Sequence, residues 1–321
     1  MNQAKAIPLA DDRIRRLYGE LSFAISRTDR VALKQWGGRS GGRLLASGAR
    51  RIGGLTRFAT LVGKGAWQEM TGLVKAAGQG NLGGRVGDRT AAAIDGSLSF
   101  GRESARVISV VSQGLIANPK ETAPKILGAF LGFYAGSGGV DGNGGIPDLD
   151  LLAGIGAHRS IVTHSILAGM LAESVLLSIA DLATLIHERL PIHHDPLWDE
   201  LAKSASPLMQ SLATGTSAGI AYHLLVDAFI QPAPYHDLPF GMPIEGHQAV
   251  MGANGAAEGA NAAERSTTHQ AVEIVQGGVP EKSTGRKVVD GVASAASVAQ
   301  TAAIDTLTWV KTGWKNRRKQ A

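Results

Sequence analysis

The chain has 321 residues, enough for about two domains at ~100–200 residues each, and its 44% apolar content is that of a folded protein. It contains no cysteine, which excludes a disulfide scaffold, a thiolate nucleophile and a cysteine zinc site, so any metal must be held by histidines and carboxylates. Forty-two glycines without a three-residue repeat exclude collagen, and with aromatics at only 5% the core must come from Ala, Leu, Ile and Val, with helices approaching closely over small residues.

The net charge of +5 hides a partition. Residues 1–125 carry 20 Lys and Arg against 9 Asp and Glu, residues 126–280 carry 4 against 15, and residues 281–321 carry 8 against 3. The histidines concentrate in the acidic middle. Such a partition separates tasks. Either the basic arms pack on the acidic block, or they meet an external anion.

Period-2 alternation is scarce and helical periodicity is plentiful, so the fold class is all-α. The polar stretch Met1–Arg16 has no secretory apolar run. Arg13–Ser26 reads as an amphipathic helix, and Leu44–Trp67 as a second within a Gly-rich region, where each glycine costs ~1 kcal/mol relative to alanine. Pro124–Tyr134 reads as a buried helix, followed by a Gly-rich loop over Gly136–Asp150 that has a calcium-loop look but reads as a flexible turn. Two long helices follow, Ile161–His187 with Ser160 as its N-cap and Pro207–Ile230. The stretch Ile166–Ile186 contains Glu173 and Asp181, so no conventional transmembrane helix is expected. These elements divide into a basic Gly/Ala-rich helical region (1–120), an acidic His/Asp-rich domain (121–250), a low-complexity linker or lid (251–284) and a C-terminal basic amphipathic helix (285–321) carrying Trp309 and Trp314. No Walker A or Rossmann fingerprint is present, which argues against a nucleotide cofactor.

The chemistry concentrates in Pro147-Asp148-Leu149-Asp150, His158-Arg159-Ser160-Ile161-Val162-Thr163-His164-Ser165 and His223-Leu224-Leu225-Val226-Asp227. His223 and Asp227 are four residues apart and share a helix face. Consecutive helices with a compact connection run antiparallel, so the start of the first lies beside the end of the second. His164, His223 and Asp227 therefore meet at one tip of the hairpin, where the Asp148–Asp150 loop arrives and the Tyr235-His236-Asp237 loop leaves. His187, His193, His194 and Asp195 fall at the far end; His193-His194-Asp195 reads as a solvated loop, with a secondary metal site as the lesser reading. His236 and His247 are open between structural and ligand roles. A His/carboxylate set suits Zn²⁺ first, with Mn²⁺ or Fe²⁺ as alternatives, and the carboxylate count permits a second ion. Arg159 is the candidate for binding a phosphate or stabilising developing charge, and Thr163 and Ser165 read as supporting or capping groups.

The series Pro-Asp-Leu-Asp, His-Arg-Ser-x-x-Thr-His-Ser and His-x-x-x-Asp resembles a bacterial family of LexA-regulated, inner-membrane-associated metal-dependent hydrolases, over about residues 145–230. By that resemblance Asp148, Asp150, His158, His164, His223 and Asp227 take the metal-binding or catalytic roles; Asp150 among them, and Arg159 from its chemistry, are the catalytic candidates. A weaker likeness is to all-helical zinc-dependent phospholipases C and single-strand nucleases, and it stands as analogy.

The function expected is hydrolysis of a phosphoester by a divalent metal, on a phospholipid-like substrate at an anionic membrane surface reached through the basic arms. The resulting location is cytoplasmic, peripheral to the inner membrane. Two alternatives stand beside it: a membrane-acting effector or scaffold of toxin or phage-defence type with a structural His/Asp cluster, and a metal-dependent nuclease. Nucleic acid is the less favoured partner, because few aromatics are available for base stacking.

Overall fold

Asp29 ends the first helix's turn and accepts a hydrogen bond from the Ala32 amide at 2.7 Å, an N-cap from which the longest helix starts. A computed structural model describes residues 8–81, 112–139, 141–155, 158–232, 234–237 and 242–265, with isolated positions between 83 and 109. Their regular structure is entirely helical: α1 (Pro8–Ser26), α2 (Arg30–Gly78), α3 (Pro119–Ser137), a 3₁₀ helix (Pro147–Ala153), α4 (Ile166–His187), α5 (Leu197–Phe229) and α6 (Ile244–Arg265). The C-terminal basic helix expected over 285–321 lies outside the described residues.

Helices α2, α4, α5 and α6 pack in a ring, α2 and α5 each touching both α4 and α6, and α3 lies on the outside of α5. Buried aliphatic residues are mostly alanine, with Ile220, Leu224, Met251 and Tyr235 in the central cluster. Arg51 of α2 sits on the bundle axis, fully buried. Its guanidinium reaches Ser47 on its own helix, Glu173 on α4 at 2.8 Å, Ser217 on α5 at 2.9 Å and Glu258 on α6 at 2.5 Å. Asn261 bridges Ser217 and Glu173 at 3.0 and 3.2 Å, and Arg50 and Arg265 also pair with Glu173. Burial works against the Arg51 charge, but Glu258 and Glu173 outweigh it and hold its pKa above the ordinary value.

Several residues of the basic block pair with the acidic one. Arg13 binds Asp195 at 2.9 Å, Arg43 binds Asp181 at 2.5 Å, and Arg57 binds Glu264 at 3.1 Å. The arginines expected to face an external anion are thus largely spent on α4, α6 and the α4–α5 turn.

Several expectations need correction. The helix expected over Leu44–Trp67 is much longer: α2 runs from Arg30 to Gly78, through the glycine pairs at 37–38, 41–42 and 53–54. Gly54 lets Ala257 of α6 approach to van der Waals distance, whereas Gly37, Gly38, Gly41 and Gly42 face open space and nothing in the structure explains them. Helix α3 is buried along Gly128, Gly132, Gly136 and Ser137, while Leu127, Phe130, Leu131 and Tyr134 are exposed. Helix α4 starts at Ile166 with Ser165 as its N-cap, and Ser160 instead caps a local turn by accepting from the Val162 amide. Helix α5 begins at Leu197 and carries Pro207 inside it, so the hairpin connection is shorter than expected. The linker over 251–284 is, as far as residue 265, the body of α6. Its low-complexity run of Gly252, Gly255, Ala256, Ala257 and Ala260 is what lets that helix lie against α5 and α2. The division at 120/121 is likewise bridged, because α2 packs on α4 and α6. Among the described helices, α4 is long and apolar enough to cross a membrane, with 28% of its most apolar window buried, and its Glu173 and Asp181 pair with α2.

Arg51→Ala would leave Glu173 and Glu258 buried without their shared cation, at a cost of ~3–5 kcal/mol; thermal unfolding should show a large drop in Tm. At the other end of the molecule, the Arg13 guanidinium holds Asp195 down to about 2 from the ordinary 3.8. A lowered carboxyl stabilises the fold above its unfolded pKa and loses that contribution as pH falls through the folded one. The difference in urea midpoint between wild type and Arg13→Ala should therefore be present at pH 5 and vanish as pH falls through about 2.

Candidate metal centre

All five glycines between 138 and 145 carry positive φ, and Gly144 and Gly145, at +93° and +80°, make the turn that folds this loop back on α3. The Ile146 amide bonds the Ala135 carbonyl at 2.8 Å, and the Gly144 amide donates to Asp148 Oδ2, so Asp148 presents Oδ1 inward. Asp150, two residues on in the 3₁₀ helix, accepts on Oδ2 from the Ser160 amide at 2.9 Å and the Thr163 hydroxyl at 2.7 Å. Arg159 makes that approach possible by taking φ +63°, a left-handed conformation rare outside glycine.

His164 sits two residues ahead of α4, fully buried, with its carbonyl held by the Tyr235 hydroxyl at 2.6 Å. Its Nδ1 lies 3.1 Å from Thr163 Oγ1 and 3.3 Å from Asp150 Oδ2. Because the Thr163 proton goes to Asp150, the Nδ1 proton belongs to His164 and its Nε2 is left bare. His223 repeats the arrangement. Its Nδ1 lies 3.3 Å from the Ser137 carbonyl, which can only accept, so Nδ1 is the donor and Nε2 is bare. That carbonyl is within reach because α3 and α5 meet backbone to backbone: an added Cβ on Gly132, Gly136, Gly215 or Gly219 would overlap the opposing helix. On the turn below His223, Asp227 spends Oδ1 on Arg159 Nη2 at 2.9 Å and keeps Oδ2.

Four of the buried atoms without a hydrogen-bond partner among the described residues face one another here: Asp148 Oδ1, His164 Nε2, His223 Nε2 and Asp227 Oδ2. His164 Nε2 is 3.5 Å from both oxygens, and His223 Nε2 is 3.6 Å from Asp148 Oδ1 and 3.5 Å from Asp227 Oδ2. Two donors ~2.1 Å from one ion at a near-tetrahedral angle are ~3.4 Å apart. The spacing is long for hydrogen bonds between these atoms; Asp148, His164 and His223 offer donor atoms mutually close enough for one ion, with Asp227 Oδ2 beside both imidazoles and each ring oriented from behind as metal-bound histidines are. His158 closes the solvent side, its Nδ1 3.4 Å from both Asp148 Oδ1 and Asp150 Oδ1 and its side chain 27% exposed. Asp150, His158 and His164 form a second group with donor atoms close enough for an ion.

Electrostatics follow this geometry. Burial pushes Asp148 and Asp227 up, but the neighbouring imidazoles of His164 and His223 outweigh it and hold both carboxyls below the ordinary range. Burial pushes His223 down, and Asp227 and Asp148 reverse the direction and raise it.

All six residues expected at the metal converge here, and Arg159 stands beside them as a partner of Asp227. His236 contributes only its amide, to the Arg159 carbonyl, while buried His247 accepts from the Tyr235 amide and belongs to the core. His187, His193, His194 and Asp195 lie at the opposite end of the α4–α5 hairpin. Sequence reasoning missed the Gly144 amide, the Ser137 carbonyl and the Tyr235 hydroxyl; the four-residue spacing of glycines on α3 and α5 was the one available signal for the second. The chain matches no protein-family model, and no curated protein or solved structure shows significant similarity to it.

Replacing Asp150 with Asn removes a carboxylate from behind His164 while leaving the inward atoms in place, so Zn²⁺ affinity should fall ~10–100-fold. His164→Ala removes a donor outright and should abolish tight binding at this centre. Titration against a competing chelator measures both.

Proposed function

We propose that this protein is a metal-dependent hydrolase of phosphoesters, with Zn²⁺ as the first choice of ion and Mn²⁺ or Fe²⁺ as alternatives. The observation that carries the reading is the set of four bare, buried donor atoms spaced at 3.5–3.6 Å. Leaving one buried polar group unpaired costs ~1–3 kcal/mol, and four facing each other are tolerated where a cation satisfies all of them. A divalent ion supplies Lewis acidity toward a water nucleophile and a phosphoryl oxygen.

The surrounding residues suit that chemistry. Asp148, His164, His223 and Asp227 would hold the ion, and Asp150 with Thr163 keeps His164 in the required tautomer. Arg159 is already fixed beside the centre by Asp227, and its Nε is buried without a partner, a donor suited to a phosphate oxygen. His158 stands on the open side, its Nδ1 3.4 Å from Asp150 Oδ1, the position for taking or giving a proton. The family resemblance over residues 145–230 agrees with this reading.

A lipid-like substrate is favoured by the loop that carries the ligands. Leu149, Leu151, Leu152 and Ile155 alternate with or follow Asp148 and Asp150 and point into solvent, Leu152 at 87% and Ile155 at 82% exposure. With Arg39, Arg43, Arg50, Arg51 and Arg57 of α2 paired to acids of the same chain, approach to a membrane would rest on these aliphatic side chains together with the C-terminal basic arm, at the cytoplasmic face of the inner membrane.

Purified protein should contain a divalent metal by elemental analysis and cleave bis(p-nitrophenyl) phosphate and phosphatidylglycerol vesicles. His164→Ala and Asp227→Ala should each abolish both activities, and unchanged turnover in either variant would exclude the site. Cleavage of single-stranded DNA or RNA with no action on lipid would select a nuclease instead.

A further inference from the structure

A second group of donors lies at the opposite end of the α4–α5 hairpin. His187 is the last residue of α4, His194 lies in the connecting turn and Asp199 is in the first turn of α5. Both imidazoles converge on one oxygen: His187 Nε2 is 2.8 Å and His194 Nε2 is 3.0 Å from Asp199 Oδ1. The rings meet edge to face at 82°, with centroids 5.4 Å apart, so each presents its Nε2 to the same point from a different direction.

The protons on this cluster are constrained. The Pro191 carbonyl, 2.9 Å from His194 Nδ1, can only accept, so Nδ1 carries hydrogen and the lone pair of neutral His194 faces a carboxylate. A second proton on His194 or a cation relieves that opposition. Neighbouring acids are already matched: Asp195 is held by Arg13, and Glu20 by Arg16, the Asp195 amide and the Trp198 indole. Among the described residues, Asp199 has no ion pair except with the two imidazoles.

We infer that His187, His194 and Asp199 form a second divalent-cation site, of the two-imidazole, one-carboxylate type that suits Zn²⁺. Donors ~2.1 Å from an ion stand ~3.4 Å apart, so the cluster needs to open by only a few tenths of an ångström, in a solvent-facing turn free to do so. Asp199 is exposed, which leaves the remaining coordination positions to water. The ion would clasp the end of α4 to the start of α5. This site has no substrate-binding surroundings like those of the candidate centre, so its role is to hold the hairpin closed.

The proposal does not depend on the hydrolase reading, and its test separates the two. The probe is Zn²⁺ alone, titrated calorimetrically into full-length protein. The variant His164→Ala/His223→Ala, disarmed at the candidate centre, should still bind one equivalent. Adding His187→Gln/His194→Gln should remove that equivalent, with affinity falling at least tenfold, while Asp199→Asn should weaken it to a lesser extent. Asp199 is exposed and the two histidines are half-buried in a turn outside the central core, so folding of each variant, checked by circular dichroism in chelator, should be preserved. Zn²⁺ should also raise the Tm of the disarmed variant and leave that of the further-substituted one unchanged. No uptake by the folded disarmed variant, or uptake that survives His187→Gln/His194→Gln unchanged, would overturn the proposal.

Discussion

One guanidinium ties the bundle together. Arg51 donates to α4, α5 and α6 from α2 and to its own helix through Ser47, so a single planar fork of five N–H groups sets the height at which four helices pass one another. A buried ion pair gains little over a well-packed apolar substitute, and its use lies in the alternatives it forbids. Sliding any one helix by a turn would strand Glu173, Glu258 or Arg51 in an apolar interior. The register then passes along the helices to the candidate centre. His223 lies six residues beyond Ser217, about 9 Å along α5, and His164 just ahead of the helix that carries Glu173.

Lateral distance is set by a different device. Helices α3 and α5 lie backbone to backbone because glycines face each other at intervals of four, a packing in which no side chain separates the helices. That arrangement gives up side-chain burial and accepts ~1 kcal/mol per glycine in helix propensity. It brings the Ser137 carbonyl to His223 Nδ1, and that carbonyl decides which nitrogen of His223 faces inward. A bulkier contact would leave the ring without its acceptor and free to turn. The chemistry of the centre is therefore written partly in residues that have no functional groups.

Much of this was legible in the chain. Helical periodicity and the spacing His223-x-x-x-Asp227 placed two ligands on one face, and the antiparallel hairpin rule brought His164 and the Asp148–Asp150 loop to the same tip. What failed were inferences about surroundings. The alanines and glycines of residues 251–265 have a low-complexity composition, and composition does not reveal that small side chains are the requirement for tight packing between two larger helices. The apolar run Pro124–Tyr134 looked buried because its leucines and aromatics are apolar, but its glycines hold the contact and the large residues face out. Ser160 matched the N-cap pattern, and the tertiary demand of Asp150 for the Ser160 amide and the Thr163 hydroxyl delayed the helix until Ser165. The basic N-terminal block gave no sign in itself of which anion it meets; only the placement of α4 and α6 shows that the anions are in the same chain.

Among the described residues, the interior and the surface exchange their usual contents. The buried aliphatics are mostly alanine, and Arg51, Glu173, Glu258, His164 and His223 are among the most enclosed side chains. Large apolar residues lie outside instead: Leu127, Phe130, Leu131 and Tyr134 on α3, Leu167, Leu171, Val175 and Ile179 at intervals of four on α4, and the aliphatics of the ligand-bearing loop. In water this distribution forfeits the main driving force of folding, since burial of apolar area contributes ~25 cal/mol per Å². Against an apolar phase it forfeits nothing, because small-residue contacts and internal ion pairs then supply the association and the outward faces are already solvated. Such a surface is suited to contact with an apolar phase, so the described helices as well as the candidate metal centre support the activity proposed at an interface.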